Sequence, residues 1–258
     1  MDMCELLGLA FNKPVSPALS FRGFRHRASR NRHGWGLAAI SPRRITVVKE
    51  PINAEQSDVA RTLPERTALV APTFIGHVRA ASRGNVCMAN THPFTRRIRD
   101  RQFVLAHNGT LDMQPLQPRA DDPFTPEGGT DSELAMCSLL SWMEHERVGW
   151  DDYRLIEEFL RDMNTHGDLN LLFSDGRRLY GYHDDGGYNG LCWTHRRAPF
   201  SRVELLDEDW EADLPETKEP DQQGYVIASR KLTTGEVWTE FRHGSLMVFQ
   251  DGEIAYGG

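Results

Sequence analysis

Cysteine is scarce in this chain, and long apolar runs are missing. The cysteines lie far apart, and none of them forms the CxxC pair that is usual in zinc and redox motifs; they are Cys4, Cys87, Cys137 and Cys192. No apolar run reaches the roughly 20 residues that a membrane-spanning helix requires, and no signal-peptide pattern follows the N-terminus. We therefore expect a cytoplasmic protein with reduced thiols, without structural zinc and without a membrane partner.

An excess of positive charge is also missing. The chain has 37 acidic and 30 basic residues, and its net charge of −7 argues against nucleic acid as the main partner. Its 258 residues, 39% of them hydrophobic, suffice for a large buried core. Because no linker-like segment or internal repeat interrupts the sequence, we expect one domain over residues 1–258. We also expect no cofactor.

Hydrophobic patterning predicts strands, then two helices, then strands again. The runs "CELLGLAF", "GWGLAAI", "RITVVKE", "TFIGHVRAA" and "QFVLAHNG" are rich in β-forming residues. Apolar residues at helical spacing fill "TDSELAMCSLLSWMEHE" and "DDYRLIEEFLRDMNTHG". Two Asp-Gly pairs, at 175–176 and 251–252, predict hairpins, and the acidic stretch 207–221 predicts an exposed loop. This order favours an α+β fold with antiparallel sheets over a parallel βαβ sheet.

Two short motifs could carry nucleophilic chemistry, and each also has a structural interpretation. Cys4 heads an apolar strand, so it is either a buried thiol or a nucleophile. The "HNG" motif at 107–109 is either a turn or an oxyanion hole, in which the Asn108 amide and the Gly109 N–H donate toward one point.

Charged and imidazole side chains supply the other candidates. Arg79 at a strand end forms either a surface ion pair or a bidentate clamp for a substrate carboxylate. Asp131 in "GGTDSE" is either a helix N-cap, as Thr130 could be, or a ligand for a substrate ammonium group. The histidines do not have the spacing of a helical metal motif, so we expect no metal site at His77, His92 and His107.

Together these motifs resemble the class II glutamine amidotransferases, which are N-terminal-nucleophile amidohydrolases. The resemblance lies in Cys4 followed by "HVR" at 77–79, "HNG" at 107–109 and "TDSE" at 130–133, in that order. "GWG" at 34–36 and "NTHPF" at 90–94 are similar to the stand-alone YafJ-type subgroup. That subgroup also looks like the γ-glutamyl amide hydrolases of glutathione breakdown and ergothioneine synthesis. The resemblance covers nearly the whole chain.

The resemblance implies a four-layer αββα sandwich of two stacked antiparallel sheets and a function for each motif. Cys4 would attack a γ-glutamyl amide, with its own α-amino group as the base, and form a thioester. Asn108 and Gly109 would stabilise the oxyanion, while Arg79 and Asp131 would bind the α-carboxylate and α-ammonium groups of the substrate. Further residues that the resemblance places at the pocket are Trp35, Gly36 and His92.

Several alternatives stay open at the level of sequence. Met1, Asp2 and Met3 precede Cys4 and would block its amine, unless translation starts at Met3 or the segment is a propeptide. If the block persists, the chain would instead be a catalytically silent glutamine-binding or regulatory subunit. The small-molecule substrate could be glutamine or a γ-glutamyl peptide, and released ammonia could pass to a partner enzyme.

Overall fold

The protein is described by a computed structural model that covers residues 4–27, 32–63, 69–80, 84–207, 211–214 and 219–257. Its α-helices are α1 (Ala18–His26), α2 (Asp58–Thr62), α3 (Asp131–His145) and α4 (Tyr153–Asn164). The strands before α3 are β1 (Glu5–Val15), β2 (Trp35–Ser41), β3 (Arg44–Glu50), β4 (Ala71–Val78), β5 (Phe94–Ile98) and β6 (Arg101–Leu111). No helix within these ranges is both long and apolar enough to span a bilayer.

Ten strands follow α4 in the part of the chain that the structure describes. They are β7 (Gly167–Ser174), β8 (Leu179–His183), β9 (Cys192–Arg196), β10 (Arg202–Leu205), β11 (Glu211–Asp213), β12 (Gly224–Ala228), β13 (Thr233–Thr234), β14 (Thr239–Glu240), β15 (Ser245–Gln250) and β16 (Glu253–Tyr256). Asp251 and Gly252 both have positive φ between β15 and β16, as the Asp-Gly hairpin prediction requires.

The strands form two large sheets and one small sheet. The first has the order β14-β9-β12-β1-β4-β2-β3, and the second has the order β16-β15-β8-β7-β6-β5. A three-stranded sheet, β11-β10-β13, stands beside them. The strand pairs within both large sheets are antiparallel.

Three apolar clusters lie between the layers and pack them together. The central cluster joins the facing sides of the two large sheets and includes Leu6, Ile75 and Leu172. A second cluster covers the outer side of the seven-stranded sheet with residues of α1 such as Phe21, and a third packs α3 and α4 on the six-stranded sheet. The layers therefore run helix, sheet, sheet, helix, and the α+β, αββα prediction is confirmed.

The structure corrects two details of the sequence prediction. Helices α1 and α2, which form the first helix layer, were not predicted because they are short and offer few apolar positions at helical spacing. The acidic stretch 207–221 is not simply a loop, since Glu211–Asp213 pairs with β10 as β11. Residues 208–210 and 215–218 of that stretch lie outside the described residues, as do residues 1–3 and 81–83.

Truncating Leu172 tests the stacking of the two sheets. Its side chain is fully buried, and one of its methyl groups would lie 3.1 Å from a Cβ added at Gly8 of the opposite sheet. We expect Leu172→Ala to lower the free energy of unfolding by about 2–5 kcal/mol, because it leaves a cavity between two sheets that cannot close freely. Urea unfolding followed by circular dichroism measures this. The control is Val237→Ala at an 82% exposed position, and an equal loss in both variants would contradict the packing assignment.

Candidate active site

Cys4 lies immediately before β1, between the ends of β4 and β12. The Ala80 N–H donates to the Cys4 Sγ at 3.2 Å, and the thiol lies 3.3 Å from the Ala80 carbonyl oxygen. Burial of the thiol raises the pKa of Cys4 to about 11, and the Ala80 N–H and the Arg79 charge offset only part of that rise. A thiol in this setting is protonated at neutral pH, so nucleophilic attack needs a base.

The main chain of Cys4 is held by two asparagine side chains. Its carbonyl oxygen accepts hydrogen bonds from the Asn108 amide at 2.5 Å and from the Asn189 amide at 2.8 Å. The Asn108 amide also lies 3.4 Å from the hydroxyl of Ser229, which in turn accepts from the Leu6 N–H at 2.9 Å. Because Asn108 belongs to the six-stranded sheet, these bonds connect the two sheets at the nucleophile.

Asn189 and Ser229 were not predicted from the sequence. Asn189 belongs to the segment "HDDGGYNG" at 183–190, whose glycines and acidic residues are typical of a loop. That concentration of glycine, aspartate and asparagine after a predicted strand was the available signal. Ser229 directly follows β12 and belongs to no local motif, and the pairing of β12 with β1 brings it to Cys4.

Asn108 and Gly109 lie within a regular strand, so the turn interpretation of "HNG" is wrong. In β6 they pair with Asn170 and Leu169 of β7. A Cβ at Gly109 would lie 2.0 Å from the carbonyl oxygen of Asp168, so only glycine fits this close approach of strands.

His107 connects three elements around this strand. Its Nε2 lies 3.2 Å from the Asp168 carbonyl oxygen, which can only accept, so Nε2 carries the proton. Its Nδ1 then accepts the hydroxyl proton of Ser132 at 2.9 Å. Burial lowers the pKa of His107, which keeps the ring neutral. The ring therefore fixes β6 against β7 and against the start of α3.

Thr130, and not Asp131, is the N-cap of α3. The Thr130 hydroxyl accepts the N–H of Glu133 at 3.2 Å, while Asp131 is the first residue of the helix. The Asp131 carboxylate is 96% buried and accepts the Leu111 N–H at 2.8 Å. Its negative charge raises the pKa of Cys4, which indicates that the carboxylate lies near the thiol.

Arg79 is buried, so its interpretation as a surface ion pair is wrong. Its side chain is 3% exposed, and the guanidinium donates to the carbonyl oxygens of Asn85 at 3.3 Å and Gly84 at 3.4 Å. Its main-chain N–H donates to the carbonyl oxygen of Gly34 at 2.8 Å. The positive charge of Arg79 lowers the pKa of Cys4, opposite in sign to the effect of Asp131.

Trp35 is a core side chain. Its indole has no exposed surface, packs against the Phe21 ring at 5.7 Å between centroids, and donates from Nε1 to the Glu50 carboxylate at 3.2 Å. The indole is therefore part of the outer core beneath α1, and this placement corrects the sequence-based expectation.

Gly36 and His92 meet behind the site. A Cβ at Gly36 would lie 2.2 Å from the His92 carbonyl oxygen, so glycine lets this segment cross β2. The His92 ring is 3% exposed and packs at a tilt against the His77 ring, with 4.1 Å between centroids. Burial lowers the pKa of both rings, that of His77 to about 3. His92 is thus an interior residue of the structure, which does not expose its ring to a ligand.

The histidines do not offer a compact set of metal ligands. His107 uses both ring nitrogens within the protein, and the rings of His77 and His92 pack against each other at an interplanar angle of 40°. Within the described part of the chain, donor atoms cluster at Asp121, Asp122 and His145, where His145 Nε2 lies 3.0 Å from Asp122. That group is at the surface, and exposed acidic groups of this kind are common without an ion.

A cleft of about 560 Å³ opens beside Cys4 on the side of β12 and β9. Asn189 and Ser229, which lie next to the nucleophile, also line this cleft. Arg230 and Lys231 line it as well, and the Arg230 guanidinium forms an ion pair with Glu5. Arg79 follows β4 on the other side of β1, so Cys4 stands between the guanidinium and the cleft.

The chain is similar in sequence and in fold to several known proteins. A family model described as "Glutamine amidotransferases class-II" matches residues 3–257. The chain is 39% identical to an uncharacterized protein, MJ1515, of Methanocaldococcus jannaschii, over 98% of this chain and 71% of the relative. It is 33% identical to the putative glutamine amidotransferase YafJ of Escherichia coli, over 97% and 99% of the two chains.

Solved structures give the same result for the fold. A predicted glutamine amidotransferase from Pseudomonas aeruginosa PA01 superposes with a TM-score of 0.71 at 29% identity, over 98% of this chain and all of that one. Glutamine phosphoribosylpyrophosphate amidotransferase from B. subtilis superposes with a TM-score of 0.65 at 16% identity, over 97% of this chain and 48% of that one. The second similarity concerns the fold alone.

Neutralising Asp131 tests the electrostatics at the thiol. We expect Asp131→Asn to lower the pKa of Cys4, because it removes a negative charge that disfavours the thiolate. Asparagine can still accept the Leu111 N–H, so the helix start should be kept. The pH dependence of iodoacetamide alkylation, mapped to Cys4 by peptide mass spectrometry, gives the pKa. Asp162→Asn on the exposed side of α4 is the control, and an unchanged or raised midpoint in Asp131→Asn would contradict this arrangement.

Proposed function

We propose that this protein, which belongs to the class II glutamine amidotransferases, hydrolyses a γ-glutamyl amide through a thioester on Cys4. The observation that carries this proposal is the convergence of Cys4, Arg79, Asn108 and Asp131 at one edge of the sandwich. These residues come from four separate segments of the chain, and three of them are at least 96% buried. Burying the charged side chains of Arg79 and Asp131 costs free energy. Their burial at this edge therefore favours a binding site that needs both charges.

The nucleophilic step needs a base near Cys4. In the proposed mechanism the Sγ attacks the amide carbon, and the thiol proton moves to the α-amino group of the same residue. An α-amine has a pKa of about 7.7–8.0, so it is partly unprotonated at neutral pH. The C–N bond then breaks as that proton passes to the leaving amine, and water hydrolyses the thioester to give glutamate. This mechanism requires that Cys4 be the first residue of the active protein.

The oxyanion of each tetrahedral intermediate needs hydrogen-bond donors. The Asn108 amide carries two N–H groups, and its Nδ2 lies 2.5 Å from the Cys4 carbonyl oxygen and at the longer distance of 3.4 Å from the Ser229 hydroxyl. We propose that the second N–H turns to the oxyanion, together with the Gly109 N–H. Preorganised donors of this kind contribute about 3–4 kcal/mol each to catalysis.

The γ-glutamyl head carries an α-carboxylate and an α-ammonium group. In the proposed complex the Arg79 guanidinium binds the carboxylate and Asp131 binds the ammonium group. Both are buried and both act electrostatically on Cys4, so a substrate held between them would place its amide near the thiol. Such positioning converts binding energy into orientation of the reacting groups.

The cleft beside Cys4 suggests the nature of the leaving amine. It lies across β1 from Arg79, on the side to which the amide of a bound γ-glutamyl group would point. Ammonia would not need a volume of about 560 Å³, whereas the remainder of a γ-glutamyl peptide would occupy it. Lys231, which lines the cleft, would then donate to a carboxylate of that remainder, whereas Arg230 is already paired with Glu5. We therefore propose γ-glutamyl peptides as better substrates than glutamine.

A catalytically silent, glutamine-binding subunit is the second candidate function. Two observations favour it: the Asn108 amide is engaged by the Cys4 carbonyl, and burial raises the pKa of the thiol to about 11. A chain that keeps residues 1–3 would have no basic amine at Cys4. In that form Arg79 and Asp131 would still bind a γ-glutamyl head.

An activity screen with a chain that begins at Cys4 separates the two functions. We expect this protein to release glutamate from γ-glutamyl dipeptides faster than from glutamine, and the Cys4→Ala variant to lose at least 1,000-fold of the rate, because the nucleophile is absent. Glutamate release is followed by a coupled assay. The matched control is the same chain with an N-acetylated Cys4, which should be inactive because its nitrogen is not basic. Absence of any hydrolysis, with glutamine binding retained in calorimetry, would support the regulatory function instead.

Replacing Arg79 by lysine tests the carboxylate site. Lysine keeps the charge but cannot make a bidentate contact, so we expect KM for the best γ-glutamyl amide to rise at least tenfold while kcat changes less. Arg119→Lys, at an exposed position, is the control.

Wild-type protein should also discriminate against 4-aminobutanamide, which is glutamine without its α-carboxylate, and Arg79→Lys should discriminate less. A normal KM in the variant would show that the carboxylate binds elsewhere.

A further inference from the structure

An arginine-lined cleft lies at the end of the sandwich opposite Cys4. Three turns form it: the β2–β3 turn and the β5–β6 and β7–β8 turns, so both large sheets contribute. Its volume is about 270 Å³. Strand β2 runs from Trp35, near the candidate active site, to Ser41 at this cleft. The six residue-to-residue intervals between them correspond to a distance of roughly 20 Å along the strand. We refer to this feature as the arginine cleft.

Arginines of these turns fall into two groups, and the first group has a structural function. Arg101 forms an ion pair with the buried carboxylate of Asp175, and Arg178 contacts the same carboxylate at 3.1 Å. Arg99 donates to the main-chain carbonyl oxygens of Met143 and Val148. These contacts hold the turns in place.

The second group lines the cleft without a partner. It consists of Arg43, Arg44, Arg97 and Arg177, which are exposed, and whose side chains form no hydrogen bond or ion pair with any residue that the structure describes. Asp100 and Asp175 are the acidic side chains of the cleft, and the charge of Asp175 is already balanced by Arg101. Positive charge is therefore in excess here, on a protein whose net charge is −7.

Unpaired like charges in one cleft repel each other, and this repulsion is relieved when an anion binds among them. Guanidinium groups form bidentate contacts with phosphate oxygens, and several of them together match a ligand with more than one phosphate. The small volume and the rigid turns suit a small molecule more than the surface of a partner protein. We propose that the arginine cleft binds a small molecule that carries two or more phosphate groups.

Calorimetry with inorganic tripolyphosphate as the probe tests this site on the full chain, and it does not depend on the hydrolytic activity. We expect binding with one ligand per chain and a dissociation constant that rises with salt concentration, because the contacts are ionic. The double variant R97Q/R177Q should weaken the affinity at least tenfold. Neither side chain forms a hydrogen bond or ion pair within the described structure, so the variant should unfold at the same temperature as the wild type.

The matched control removes two charges elsewhere. R119Q/R154Q changes two exposed arginines outside the cleft and should alter the affinity less than twofold. An equal loss of affinity in both double variants would show that only the net charge matters and would overturn the proposal. Absence of tripolyphosphate binding at low salt would also overturn it. Citrate should bind at least tenfold more weakly than tripolyphosphate, and equal or tighter binding of citrate would show a carboxylate site instead.

Discussion

The hydrogen bonds from two asparagine amides to the carbonyl oxygen of Cys4 are the interaction on which the candidate active site depends. Asn108 comes from the six-stranded sheet and Asn189 from the loop after β8, whereas Cys4 directly precedes β1, a central strand of the seven-stranded sheet. These contacts fix the position of the first strand relative to the facing sheet. The thiol is thereby held at the edge of the sandwich where the charges of Arg79 and Asp131 act on it.

The residues behind this edge are selected for close approach. Gly36 leaves room for the carbonyl group of His92, and Gly109 leaves room for that of Asp168. His107, kept neutral by burial, connects β6 with β7 and with the first turn of α3. The "HNG" motif thus serves the packing of the strands as well as the proposed chemistry, because its histidine and glycine position the asparagine.

Charge is distributed differently at the two ends of the sandwich. At the edge with Cys4, a buried Arg79 and a buried Asp131 act on the thiol with opposite signs, and their effects partly cancel. At the opposite end, four arginines line a cleft without acidic partners among the described residues. The first arrangement suits a zwitterionic ligand such as a γ-glutamyl group, and the second suits an anion.

Elements with a strong local period, and motifs whose residues are close together in the chain, could be predicted from the amino-acid sequence. Helices α3 and α4, the early strands and the hairpin at Asp251 were predicted because each is defined by contacts between near neighbours. The layer order came from the family resemblance and is confirmed by the three apolar clusters. Arg79, Asn108, Gly109 and Asp131 were identified as candidates in the same way, through motifs of three or four residues.

Which of these side chains meet, and which serve only in packing, depends on long-range contacts in the folded protein. Trp35 belongs to a motif but is a core side chain, because α1, which has a weak local pattern, covers it. Asn189 and Ser229 carry no motif. Ser229 reaches Cys4, about 225 residues away in sequence, through the pairing of β12 with β1, and Asn189, about 185 residues away, reaches it from the loop after β8 of the facing sheet. The arginines of the arginine cleft likewise come together from three separate turns. Such contacts depend on the register and stacking of whole sheets, and no local pattern of residues encodes that information.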